Sequence, residues 1–151
     1  MYDIKIRILL IEHDIGDIQL IQELLKNAKN FNYDLTLAAT ISEAFEYVRK
    51  SSFDIVLIDL LLPDSDGFDT VIRTREKIKN SPIIVLSSLK DELIARKAVQ
   101  VGVQDYLIKD LAISIFVKVF HNCDISLKTS KVSFASFSSN FCIANPACTI
   151  T

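Results

Sequence analysis

No apolar run in the chain approaches the roughly 18 residues a bilayer span needs, so the sequence predicts no membrane segment. There is no basic excess either: 17 Lys and Arg stand against 19 Asp and Glu, the formal net charge is −2, and the basic residues are scattered. A phosphate backbone would find no positive stripe, which argues against direct nucleic-acid binding. Cysteines are few and odd in number: Cys123, Cys142 and Cys148 include no pair at two-residue spacing, which removes the zinc and dithiol patterns and leaves reduced, structural thiols. The start, Met1 to Arg7, runs from charged into apolar strand character without a long apolar stretch and small-residue cleavage site, so the expectation is a cytoplasmic protein. A glycine-rich phosphate loop is missing as well. Gly16 stands alone after the first apolar run, which disfavours a nucleotide-binding protein of the same architecture.

What is there is a soluble composition, 50% hydrophobic and 24% charged, in 151 residues, enough for one domain with a full core and a modest remainder. Residues 4–11 form a near-continuous aliphatic run of strand length. Residues 14–29 then place Ile18, Ile21, Leu24, Leu25 and Ala28 at helical spacing. The unit repeats: residues 34–39 alternate as a strand, and Ser42 precedes Ala44, Phe45, Tyr47 and Val48 in the manner of a capped helix. A third strand at 54–60 is apolar on both faces, followed by a helix over 68–78 that ends at Asn80-Ser81-Pro82. Residues 83–86 read as a fourth strand, 90–101 as a helix stopped by Gly102, 104–108 as a fifth strand, and 112–124 as a last helix with Ile113, Phe116, Val117 and Phe120 on one stripe. Such alternation predicts an α/β fold, a doubly wound parallel sheet of five strands with functional groups at the strand C-terminal ends.

The domain is expected over 1–126, and the composition changes after it. Residues 127–151 carry only Lys128 and Lys131 as charges, are rich in Ser, Phe, Thr, Cys and Asn, and have no clear period; they are an atypical tail of unassigned structure. The last helix has only Lys118 and Asp124 as charges between 113 and 127, so its outer face is expected to be covered by the tail or by a second copy in a homodimer.

Collecting the polar residues at the strand ends gives Glu12, His13 and Asp14 after the first strand, Asp59 after the third, Ser87 and Ser88 after the fourth, and Lys109 after the fifth. Taken singly, an Asp in a loop, a Ser in a turn or a Lys on a surface is ordinary. Together they describe carboxylates that a cation would hold, with an ammonium and a hydroxyl suited to phosphoryl oxygens. That set predicts phosphoryl chemistry on Asp59.

Four segments in this order, Ile8 to Asp14 with Gly16-Asp17, Asp59 to Gly67, Ile83 to Ser88, and Asp105 to Lys109, resemble the receiver domain of two-component response regulators over residues 5–124. The resemblance implies a flavodoxin-like (βα)5 fold. It also implies that Asp59 is the phosphoacceptor for a sensor histidine kinase or phosphotransfer protein, with Mg²⁺ and Lys109 neutralising the transferred group. By the same resemblance Ser87 is the switch hydroxyl, Tyr106 the aromatic that changes rotamer with it, and Glu12, Asp59 and the Leu61 backbone carbonyl the metal ligands. Output would be contact with a downstream protein through the fourth helix, fifth strand and fifth helix, with no enzymatic activity beyond assisting its own phosphorylation and dephosphorylation.

One position departs from the family pattern of two adjacent acids: His13 occupies the second. Imidazole is a poor Mg²⁺ ligand, so the metal site should be weakened unless Asp14 or Asp17 substitutes. Two expectations follow, retained but slower phosphorylation or a docking module that works without phosphate; the first is preferred. An aspartyl-phosphate hydrolase, which would need an acid two residues after its nucleophile, is disfavoured by Leu61. Lys109-Asp110, where many receivers have a Pro after the Lys, is a minor departure.

Overall fold

The computed structural model describes residues 5–27, 32–88 and 92–109. The expected last helix, the tail and all three cysteines lie outside the described residues.

Five strands, β1 (Lys5–Ile11), β2 (Asn32–Ala38), β3 (Ile55–Asp59), β6 (Ile83–Ser87) and β7 (Asp105–Ile108), form one parallel sheet in the order β2-β1-β3-β6-β7. Helices α1 (Ile15–Asn27), α2 (Ile41–Lys50), α3 (Gly67–Lys77) and α4 (Glu92–Gln100) alternate with them. This is the doubly wound α/β arrangement that the alternating pattern predicts. Strand side chains alternate between faces, and the two faces build two separate cores. Leu9, Ile11, Val56, Ile58, Ile83 and Val85 pack with Ile41, Ala44, Val71, Ile78 and Ala98 from α2, α3, α4 and their flanks. Ile8, Leu10, Leu57, Ile84, Leu86 and Leu107 pack with Ile21 and Leu25 of α1. Every residue of β3 and β6 is buried, which is why both read as unbroken apolar runs. Each fully buried aliphatic side chain contributes about 1.5–3 kcal/mol to stability.

The helix ends refine the sequence expectations. The cap of α2 is Thr40, two residues before Ser42: its hydroxyl accepts from the Glu43 amide at 3.1 Å, and Glu43 Oε2 reciprocates on the Ala39 amide at 2.8 Å. Asp14 caps α1, since its Oδ1 accepts from the Asp17 amide at 2.9 Å. Two strands of two residues each, β4 (Leu61–Leu62) and β5 (Ser65–Asp66), pair antiparallel directly after β3. Nothing predicted them, because two-residue strands carry no period. Among the described residues no helix is long and apolar enough to cross a membrane.

Candidate functional site

The strand order reverses between β1 and β3: the chain leaves β1 toward β2 on one side and returns to β3 on the other. Ligands of open α/β sheets bind at such a point, beyond the strand C-terminal ends. Ile11 is the register partner of Ile58, so the next residues, Glu12 and Asp59, lie side by side there. Both acids are buried, at 1% and 5% exposure, as is Lys109 at 8%. Lys109 Nζ donates to Glu12 Oε2 at 2.7 Å and to Asp17 Oδ2 at 2.5 Å, and sits 3.4 Å from Asp59 Oδ1. Three carboxylates thus share one ammonium, leaving an excess of negative charge that favours a further cation.

The titration behaviour follows from this crowding. Burial, and then the Glu12 carboxylate, raise the Asp59 pKa above its ordinary value; the Lys109 ammonium and the Leu61 amide oppose the rise without cancelling it. For Lys109, burial pulls the pKa down. The Asp17 and Glu12 hydrogen bonds and the Asp59 charge outweigh it, so the pKa is raised and the ammonium stays charged.

The remaining expected residues are placed as follows. Ser87 ends β6, buried, one residue past the register partner of Asp59; Ser88 is exposed. Tyr106 in β7 is buried in the core formed with α2, α3 and α4. Leu61 is 43% exposed at the rim. Asp14 is exposed and engaged at the α1 cap, and it is not part of the acid grouping. Asp17 is, through Lys109. Glu12 Oε1 accepts from the His13 and Asp14 amides at 2.9 and 3.0 Å, which fixes that carboxylate. One ligand atom each from Glu12, His13 and Asp59 lie within 4.8 Å of one another. The two carboxylates suit a hard divalent cation such as Mg²⁺, whereas the imidazole does not.

The loop after Asp59 is held by backbone amides, hydroxyls, the Asp64 carboxylate and the Arg73 guanidinium. Gly67, with φ +54°, donates its amide to the Leu60 carbonyl at 2.9 Å, a left-handed conformation that glycine adopts without a Cβ penalty. The Thr70 hydroxyl donates to the same carbonyl at 3.1 Å and lies 2.8 Å from Ser65 Oγ. Asp64 turns away from the site: its carboxylate accepts from the Ile41 amide, the Ser42 amide and the Ser42 hydroxyl at 3.0, 3.0 and 2.8 Å.

The family model described as "Response regulator receiver domain" matches residues 8–120. The chain belongs to the response regulator receiver domain family. Among its curated relatives, the transcriptional regulatory protein ZraR of Escherichia coli K12 is 28% identical over 88% of this chain and 31% of its own length. This receiver chain therefore spans about a third or less of the curated relatives it matches first. Among solved structures, the non-phosphorylated HemR receiver domain from Leptospira biflexa is 31% identical with a TM-score of 0.64, covering 78% of this chain and 92% of that one. The phosphorylated cyanobacterial phytochrome response regulator RcpA is 26% identical with a TM-score of 0.68, covering 85% and 98%.

Within the receiver frame, Thr70 and Asp64 escaped the sequence reading. Asp64 lies five residues after Asp59 in the same acid-rich segment, but the amides it meets belong to α2, more than twenty residues away in sequence. No local signal marks such a contact. The Asp17 carboxylate could be found from sequence only by its position one turn into α1 from Asp14.

Proposed function

We propose that the chain is a two-component receiver that takes a phosphoryl group on Asp59 from a sensor histidine kinase or a phosphotransfer protein. The observation that carries this reading is a buried, crowded carboxylate at the sheet's switch point, 3.4 Å from a buried ammonium. An Asp59 oxygen forms the new bond to phosphorus as the donor's P–N bond breaks, and the imidazole nitrogen keeps that electron pair. Lys109 meets the negative charge spread over the phosphoryl oxygens, held in place by Asp17 and Glu12. Ser87 supplies the hydroxyl that bonds the phosphoryl group, and Tyr106 changes rotamer with it. Mg²⁺, held by Glu12, Asp59 and the Leu61 carbonyl, supplies further charge neutralisation when bound. Asp14, occupied at the α1 cap, gives a second acid only by leaving it, so His13 weakens the Mg²⁺ site.

The chain is a signalling component of the cytoplasm and no enzyme toward an external substrate. Its output is contact with a downstream protein over α4, β7 and the segment that follows, without membrane or nucleic-acid contact of its own. A homodimer through the region beyond residue 112 is part of this reading. The second reading, a docking module independent of phosphate, rests on His13.

Mass measurement after incubation with acetyl phosphate and Mg²⁺ separates the two. One added phosphoryl group in the wild type, absent in Asp59→Ala, is the expected result. No addition, from acetyl phosphate or from a histidine kinase donor, overturns the phosphoacceptor reading in favour of docking.

A further inference from the structure

His13 follows the buried Glu12 in the loop after β1. Its side chain is 44% exposed, and its Nδ1 lies 3.7 Å from Glu12 Oε1. Yet it stands beside two buried carboxylates with a donor atom facing the same space. We propose that Glu12, His13 and Asp59 form a mixed nitrogen–oxygen site that binds a first-row transition ion of the Co²⁺, Ni²⁺ or Zn²⁺ class through the His13 imidazole. The proposal rests on the same site as the phosphoacceptor reading and changes the ion that site selects.

Three features support it. Imidazole is a good ligand for these ions and a poor one for Mg²⁺, which keeps hard oxygen donors and water. The site is also ordered in advance, because Glu12 is held by two backbone amides and need not be recruited. Finally, Lys109 keeps a partner when a cation takes Glu12: Asp17 also accepts from its ammonium, at 2.5 Å. Donor atoms around a tetrahedral ion with bonds of about 2.1 Å lie about 3.4 Å apart. The three donors, now within 4.8 Å of one another, therefore draw together by up to about 1.4 Å on binding, and His13 is the exposed member of the three.

Preference for a late transition ion over Mg²⁺ is not diagnostic, since nitrogen- and oxygen-donor sites in general share it. Dependence on His13 is. The full-length chain, with His13→Ala and His13→Asp variants checked for folding by circular dichroism, is titrated with Co²⁺ and separately with Mg²⁺. Binding is read by calorimetry and by the visible absorption of bound Co²⁺. His13→Ala is expected to weaken Co²⁺ at least about tenfold while Mg²⁺ changes by no more than about twofold. His13→Asp is expected to strengthen Mg²⁺ and to shift the Co²⁺ spectrum toward an all-oxygen site.

Unchanged Co²⁺ affinity and spectrum in His13→Ala overturns the proposal, as does failure of the wild type to bind Co²⁺. Phosphoryl uptake with Mg²⁺, measured separately, tests the phosphoacceptor reading alone. Uptake without His13-dependent Co²⁺ binding sinks only the present inference, and Co²⁺ binding through His13 without uptake sinks only the phosphoacceptor assignment.

Discussion

The loop after β1 is held by charge: Glu12 and Asp17 grip the Lys109 ammonium, and Asp14 caps α1. The loop after β3 is held by hydroxyls, amides and a carboxylate turned away from the site, through Thr70, Ser65, Gly67 and Asp64. Both loops begin at a buried acid on neighbouring strands, and only the first keeps a further acid, Asp17, on the Lys109 ammonium. A helix N-terminus stabilises a carboxylate on its own, as α2 does for Asp64. The first loop should therefore respond to added cations, and the second should be indifferent to them.

Breaking the charged loop should have the largest effect. Lys109→Met leaves Glu12, Asp17 and Asp59 without their shared cation, and about 3 kcal/mol of stability should be lost at neutral pH in a denaturant titration. Millimolar divalent ions should restore part of that loss. If they do not, the two loops do not differ in the way described.

The second loop is tested by Thr70→Val, which keeps the shape and removes the hydroxyl from the Leu60 carbonyl and from Ser65. About 2 kcal/mol should be lost, with no recovery on adding divalent ions. Asp64→Ala should cost about 1 kcal/mol through the amides it leaves open at α2. Burial opposes ionisation of Asp64, but the Ser42 and Ile41 hydrogen bonds prevail and hold its pKa below the ordinary value. Its contribution is thus present above the unfolded-state pKa and is lost as pH falls through the folded one, so wild type and variant should converge in acid.

The smallest effect has the opposite sign. The Asp59 pKa is raised by burial and by Glu12, so the folded state binds more protons than the unfolded state between the ordinary and the raised value. Stability falls as pH rises through that window. Asp59→Asn should then be more stable than wild type at neutral pH and equal to it near the low end of the window, as read by melting temperature at the two pH values. An Asp59→Asn protein that is less stable at neutral pH would mean that the Lys109 attraction outweighs the crowding.

The sheet was legible because β3 and β6 are aliphatic on both faces and each strand ends abruptly in a polar residue. Glu12, Asp59, Ser87 and Lys109 share one edge for the same reason: parallel strands in register finish together. The uses of the acids were not legible. Asp14 and Asp17 are interchangeable in a string of letters, and only the pitch of α1 sends one to the helix cap and the other to Lys109. The β4–β5 hairpin and the Asp64 contact depend on how the chain turns after Leu60, which Gly67 permits but does not spell out.

The Asp64 contact also makes one mechanical body of two parts that are distant in sequence. The segment that opens with Asp59 is pinned at Asp64 to the first turn of α2, and the Arg73 guanidinium of α3 grips the Asp64 carbonyl at 2.9 Å. A displacement of that segment pulls on two helices at once, and a protein seated on either helix takes hold of the lever whose other end is Asp59.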